Sequence, residues 1–303
     1  MSSTAQPAIA AAPLALSAPA WNNYTLHDTG GGRKLESYGP VQVIRPEPQC
    51  LWAPALDQVS WDMADAVFEG ADEDDQGSWR FRGGPPPETW PMAWRDIRFE
   101  ARLTAFRHLG VFPEQAANWA WLSDTLAERP PGARILNLFG YTGVASLVAA
   151  AGGASVTHLD ASKKAVGWAR ANAQTAGLAR APIRWICEDA RAYVRREVRR
   201  GELYQGIILD PPKYGRGPSG EVWRLYKDLP ELMAGCAALL APDARFLLLN
   251  AYSERLTGLA LAGLMAQCLA GRGGHIEWGE LALTEESGRY GVGVSFFARW
   301  QAA

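Results

Sequence analysis

Several common signatures are missing from this 303-residue chain, and each absence removes a class of function. No apolar run is long enough to cross a bilayer as a helix, so a membrane-spanning protein is not expected. The four cysteines (Cys50, Cys187, Cys236, Cys268) lie far apart and form no CxxC pair. Zinc spacing is therefore absent, and a disulfide scaffold does not suit a chain of this size. Reduced cysteines of a cytoplasmic protein are the expectation, with Cys187 in the core of a strand. His27, His158 and His275 have no partner at metal-ligand spacing, and no metal is expected. A surplus of positive charge is also lacking: the net charge is −2, which leaves room for a local basic patch but not for global attraction to a polyanion. The first twenty residues, "MSSTAQPAIAAAPLALSAPA", contain no Lys or Arg, so the charged start of a secretory signal is missing. Their Ala, Pro and Ser content reads as a disordered lead over residues 1–20.

What is present divides into two parts. Residues 21–112 are rich in Trp, Pro, Gly and acids, with turn-flanked short strands such as "HDTGGGRKLESYG" and "VQVIRP" and no helical periodicity. They read as a small β-rich domain. A linking helix, "PEQAANWAWLSDTLAE", starts at Pro113 and opens the second part, residues 113–303. From Arg134 strands and helices alternate: "RILNLF", "ASVTHLD", "IRWICED", "YQGIILD" and "ARFLLLNAY" are each followed by a helix. The last two strands, "HIEWGELALT" and "GVGVSFFARW", are joined only by "EESGRYG", too short for a crossover, so they pair antiparallel. Alternation of this kind demands a doubly wound α/β sheet. Five such units closed by a hairpin resemble, in strand count, the Rossmann-like, seven-stranded architecture of class I S-adenosylmethionine (SAM) methyltransferases, with an antiparallel last strand.

In such sheets ligands bind beyond the carboxyl ends of the strands. The first strand ends in Phe139, Gly140, Tyr141, Thr142 and Gly143, where glycines let backbone approach a ligand and let a helix begin tightly. The second ends at Asp160, whose carboxylate suits the two hydroxyls of a ribose. Capping the next helix is the alternative, a duty that Ser162 suits equally. Glu188, Asp189 and Ala190 close the third, where an acid suits an adenine amine or again a helix cap. "LDPPKYG" closes the fourth: Asp210 is followed by two prolines without N–H groups, whose carbonyls are expected to point at a ligand, and by a glycine-bearing loop. Tyr214 offers a face for a planar base.

At these residues the chain resembles a known family. "ILNLFGYTG", "HLDASKKAVGWARANAQTAGL", "CEDA" and "LDPPKYG" are similar to the SAM-dependent ribosomal RNA methyltransferases of the large-subunit cytosine-5 and guanine-N7 type. The resemblance implies SAM as cofactor and RNA as partner. It places Phe112 and Gln115, in "HLGVFPEQAANWAWL", near SAM. It gives Phe139, Gly140, Tyr141, Thr142 and Gly143 to the methionine portion, Asp160, Ala161, Ser162 and Lys163 to the ribose, and Glu188, Asp189 and Ala190 to the adenine. Asp210, Pro211 and Pro212 would border the transferred methyl, with Lys213 and Tyr214 facing the substrate.

The acceptor atom follows from chemistry. Carbon-5 of a pyrimidine needs a cysteine thiolate added to the ring first. In the cytosine-5 relatives that cysteine follows the fifth strand, where this chain has Asn250, Ala251, Tyr252 and Ser253. The expectation is therefore direct transfer to a base nitrogen, guanine ahead of adenine, with Asp210 orienting an amine and Asn250 reading a base edge. Three rivals stand beside it. One is a nicotinamide-dependent dehydrogenase, which ought to show GxGxxG where this chain has "FGYTG". Another is a SAM-fold protein that binds RNA without catalysis. The third is a methyltransferase acting on a protein or small molecule.

Overall fold

The central strands are short apolar runs, and the structure buries them on both faces. In the computed structural model, which describes residues 6–18, 21, 23–70, 77–127, 132–252 and 255–303, they belong to one of two compact units. That unit comprises Met1–Leu16, Trp119–Leu281 and Val294–Ala303. Its main strands are β1 (Arg134–Leu138), β2 (Ser155–Asp160), β3 (Ile183–Cys187), β4 (Gly206–Leu209), β5 (Phe246–Ala251), β6 (His275–Thr284) and β7 (Gly291–Gln301). Helices α1 (Val144–Ala151), α2 (Lys163–Thr175), α3 (Ala190–Arg200), α4 (Leu225–Ala238) and α5 (Gly258–Cys268) follow the first five strands in turn.

The order across the sheet is β6-β7-β5-β4-β1-β2-β3. Strands β5, β4, β1, β2 and β3 pair in parallel, and β7 pairs antiparallel with β5. Every residue of β4 and β5 is buried, as expected where helices cover both faces of a parallel sheet. Leu136, Leu209 and Leu249 of the strands join Leu229 and Met233 of α4 and Leu261 and Met265 of α5 in one core. Because the chain winds one way from β1 to β3 and the other way from β4 onward, the switch point falls between β1 and β4.

Two more strands extend the sheet. Residues Ala8–Ile9 pair in parallel with β6, Ala8 opposite His275, and Leu14–Ser17 also pairs with β6. This corrects the expectation of a disordered lead, although residues 1–5, 19 and 20 lie outside the described residues. Composition was the wrong guide because edge pairing uses backbone more than side chains. Ala8 N donates to Gly274 O at 2.9 Å, Ala10 N to Ile276 O at 2.8 Å, and the Trp278 indole to Ala10 O at 2.8 Å.

The second unit comprises Ser17–Asn118 and Ala282–Gly293. Tyr24–Gly30, Arg33–Tyr38, Val41–Pro46, Ala66–Gly70 and Gly77–Phe81 form its five-stranded sheet, beside a hairpin of Trp90–Trp94 and Ile97–Ala101. A guanidinium fork organises its centre: Arg45 Nε and Nη2 donate to Glu36 at 2.7 Å each, and the Tyr24 hydroxyl adds a bond at 2.9 Å. The boundary expected after residue 112 falls after Asn118, within the helix Ala116–Ala127, and the turn "EESGRYG" joins this unit as well. Glu285 accepts from Thr29 N at 2.9 Å, Arg289 Nη2 donates to Asp28 at 2.9 Å, and Tyr290 lies 4.6 Å from Trp52 between ring centres. Phe112 and Gln115 both lie here; Phe112 is 5.4 Å from His108 ring to ring, and Gln115 accepts from Asn118 at 2.9 Å. Among the described residues no helix is long and apolar enough to cross a membrane.

Candidate active site

Five residues carry the chain from β1 into α1, and three of them hold positive φ: Phe139 at 58°, Tyr141 at 48° and Gly143 at 88°. A non-glycine residue in that region costs about 1–2 kcal/mol, so the turn persists only because its surroundings fix it. Gly140 N donates to Leu159 O at 2.9 Å, and Asn172, buried on α2, donates to Thr142 O at 2.9 Å. Asp160 Oδ2 accepts from Tyr141 N at 2.9 Å, clasping the strained residue from the end of the neighbouring strand. Gly140 has no room for a side chain, since a Cβ there would sit 2.5 Å from the His158 ring.

Beneath the turn runs a buried polar chain that sequence reading missed. Asn137 Nδ2 donates to Ser146 Oγ at 2.9 Å, and Ser146 Oγ lies 3.0 Å from His158 Nδ1. Burial holds His158 down to about 3, so its imidazole is neutral in the folded protein. An unfolded chain takes up that proton below pH ~6.5, while the folded one resists until about pH 3. The stability that His158 contributes is complete above pH ~6.5 and is lost as pH falls toward 3. Between pH 7.5 and pH 5 we expect denaturant unfolding to show about 2 kcal/mol more loss in the wild type than in His158→Asn. Equal losses would place the titrating group elsewhere.

At the end of β2, Asp160 is not the helix cap. Its Oδ1 accepts from Ser162 N at 2.8 Å, while Ser162 Oγ accepts from Ala165 N at 3.2 Å and caps α2. Burial raises the Asp160 carboxyl above its ordinary range, and the two backbone N–H groups pull it back. Ala161 is half-buried and Lys163 exposed beside it. At the end of β3 the capping reading holds: Asp189 Oδ1 accepts from Ala192 N at 3.0 Å and caps α3, Ala190 is buried, and Glu188 takes a short bond from Arg196. Cys187 corrects the sequence reading. It is exposed, because β3 is an edge strand, and its thiol lies 3.5 Å from Ala161 O.

The end of β4 departs further from expectation. Asp210 accepts from Asn250 Nδ2 at 2.9 Å, and Asn250 Oδ1 accepts from the Ser295 hydroxyl at 3.2 Å. Asn250 is 1% exposed, so it cannot present an edge to a base; both ends of its amide orient Asp210 instead. The Pro212 carbonyl already accepts one bond from within the protein, the Trp223 indole donating to it at 2.7 Å. The expected loop is a β-hairpin, Tyr214–Arg216 against Val222–Arg224, with Pro211 buried and Lys213 and Tyr214 exposed. Trp223, buried at 3%, packs its ring 5.0 Å from Phe139 and so joins the hairpin to the glycine turn. Arg191 ties the same hairpin to α3 and α4, donating to Val222 O at 3.0 Å and pairing with Asp228 at 2.9 Å. A lone Trp eleven residues past Pro212, and one Arg within "ARAYVRREVRR", were faint signals for these roles.

The carboxyl edge of the sheet thus gathers a strained backbone turn, an acid clasping it from β2, an acid at β4 with a buried orienting amide, and an apolar flank of Phe139 and Trp223. This donor set suits a molecule with a hydroxylated sugar, an aromatic base and a charged tail. Comparison with known proteins agrees. The S-adenosylmethionine-dependent methyltransferase family matches residues 43–247. A crystal structure of the SAM-dependent methyltransferase from Agrobacterium tumefaciens is 46% identical with a TM-score of 0.94, covering 98% of this chain and 96% of that one. The structure of SMU.776 complexed with SAH shares the fold at 19% identity and a TM-score of 0.67, covering 92% of this chain and 76% of that one. The ribosomal RNA large subunit methyltransferase K/L of Shewanella frigidimarina is 31% identical over 155 residues, which are 50% of this chain and 21% of that protein. The chain therefore spans about a fifth of the length of that relative. These matches leave no support for the nicotinamide alternative. The chain belongs to the S-adenosylmethionine-dependent methyltransferase family and uses SAM as its methyl donor.

Proposed function

We propose that this enzyme methylates a base nitrogen of ribosomal RNA, in the cytoplasm, by direct transfer. The supporting observation is the Ser295–Asn250–Asp210 chain: it fixes a carboxylate at the switch-point edge of β4, where an exocyclic amine or a base edge can be held. SAM, when bound, supplies an electrophilic methyl on sulfonium. In this reading Asp160 holds the ribose hydroxyls with the lone pairs that Tyr141 N and Ser162 N leave over. The Phe139–Gly143 turn receives the methionine portion, with Thr142 buried behind it, and the residues from Glu188 to Ala190 flank the adenine. Asp210 would align the acceptor so that its nitrogen lone pair faces the methyl that SAM would supply. An exocyclic amine then releases its proton, which the Asp210 carboxylate can accept. A ring nitrogen needs no such step.

The thiols support the non-covalent route. Cys236 is fully buried, and burial pushes its thiol far up; Cys50 is likewise pushed up to about 11. We expect Cys187→Ser, which removes the exposed thiol, to keep activity within about twofold of wild type, where loss of a covalent nucleophile costs orders of magnitude. The decisive experiment is incubation with methyl-labelled SAM and ribosomal RNA, followed by mass spectrometry of nucleosides. Label on an N-methylated purine is expected; label on carbon-5 of cytosine would end the proposal.

A further inference from the structure

We infer that the outward face of the hairpin after β4 is a docking ledge for an unpaired RNA strand flanking the target base. The inference rests on the ribosomal RNA reading above and adds to it where the strand lies. Register sets the ledge. Tyr214 stands opposite Arg224 and Gly215 opposite Trp223, so Trp223 faces inward while Tyr214, Arg216 and Arg224 share the other face. Tyr226 and Lys227, in the first turn of α4, continue the exposed surface. Tyr214 and Tyr226 are 51% and 53% exposed. Lys213, Arg216, Arg224 and Lys227 are exposed too, in a chain whose net charge is −2.

The nearby acids are engaged by other groups. Asp228 is buried, paired with Arg191 and accepting from Arg224 N at 2.7 Å, and Glu221 turns back on Ser219 N at 2.9 Å. The platform is also fixed in place: Trp223 bonds to Pro212 O, and Arg191 to Val222 O. Cations spaced between exposed aromatic rings on a rigid support match phosphates alternating with unstacked bases. A paired duplex would keep its bases stacked on each other and leave the tyrosines without partners.

The test uses the full chain and a fluorescein-labelled, mixed-sequence single-stranded RNA of about 20 nucleotides, read by anisotropy across a salt series. Calorimetric titration with SAH is run on every variant to show that the fold and cofactor site are intact. In Arg216→Gln/Arg224→Gln the slope of log affinity against log salt should fall by about 1.4, at roughly 0.7 per phosphate contact. Tyr226→Ala should weaken binding about tenfold, with SAH affinity unchanged. Wild-type RNA binding in both variants would overturn the ledge while leaving the RNA reading intact. No RNA binding by the wild type, together with transfer of label to ribosomal protein in place of RNA, would overturn both.

Discussion

Asp210→Ala is expected to lower the turnover number for methyl transfer about 10³-fold while SAH affinity stays within about tenfold of wild type. The carboxylate does not stand alone: Asn250 donates to it, and Ser295 holds Asn250 in turn. Removing the acid therefore also leaves a buried amide N–H without its acceptor, which costs about 1–3 kcal/mol of stability. Asp210→Asn separates the two effects. Its amide oxygen can still accept from Asn250, so the melting temperature should recover, but the negative charge is gone and turnover should remain low. Single-turnover kinetics with labelled SAM would measure both. If Asp210→Ala transferred methyl at the wild-type rate, the corner after β4 would have no chemical role.

The second large effect concerns the cofactor. We expect Asp160→Ala to weaken SAM and SAH binding at least about 10²-fold, because two hydrogen bonds to a charged acceptor contribute roughly 1.5–3 kcal/mol each. The loss extends beyond the sugar. Asp160 also holds Tyr141, at φ 48°, and without the clasp the turn is free to relax to an unstrained conformation. Asp160→Asn is not a mild replacement, since one arm of its amide would bring a donor toward Tyr141 N or Ser162 N. Titration calorimetry with SAH checks this directly. Affinity retained in Asp160→Ala would mean that the ribose is held elsewhere.

The alternation of strands and helices was legible because four of the five parallel runs end at a glycine turn or an acid, and the short "EESGRYG" forced an antiparallel close. Legibility failed wherever a residue's role depended on a distant partner. Asn250 looked like a base reader from its place at the end of β5, yet Ser295 on β7 and Asp210, just past β4, enclose it. The same held for Pro212, whose carbonyl accepts from a tryptophan across a hairpin that nothing local announces. Asp160 and Ser162 shared one local pattern, and only geometry assigned the cap to Ser162. Low-complexity text misled for a related reason: Ala8 to Ser17 has little side-chain pattern, but its backbone finds a partner far away in β6.

That long-range pairing has a bearing on biosynthesis. Ala8–Ile9 pairs with a strand that begins at His275, and Asp28 and Thr29 likewise await Arg289 and Glu285. Vectorial emergence of the nascent polypeptide therefore cannot finish either lobe early, because both close on segments translated long after their first partners. A ribosome stalled just short of β6 would hold a chain with two open seams, a ready client for chaperones and proteases.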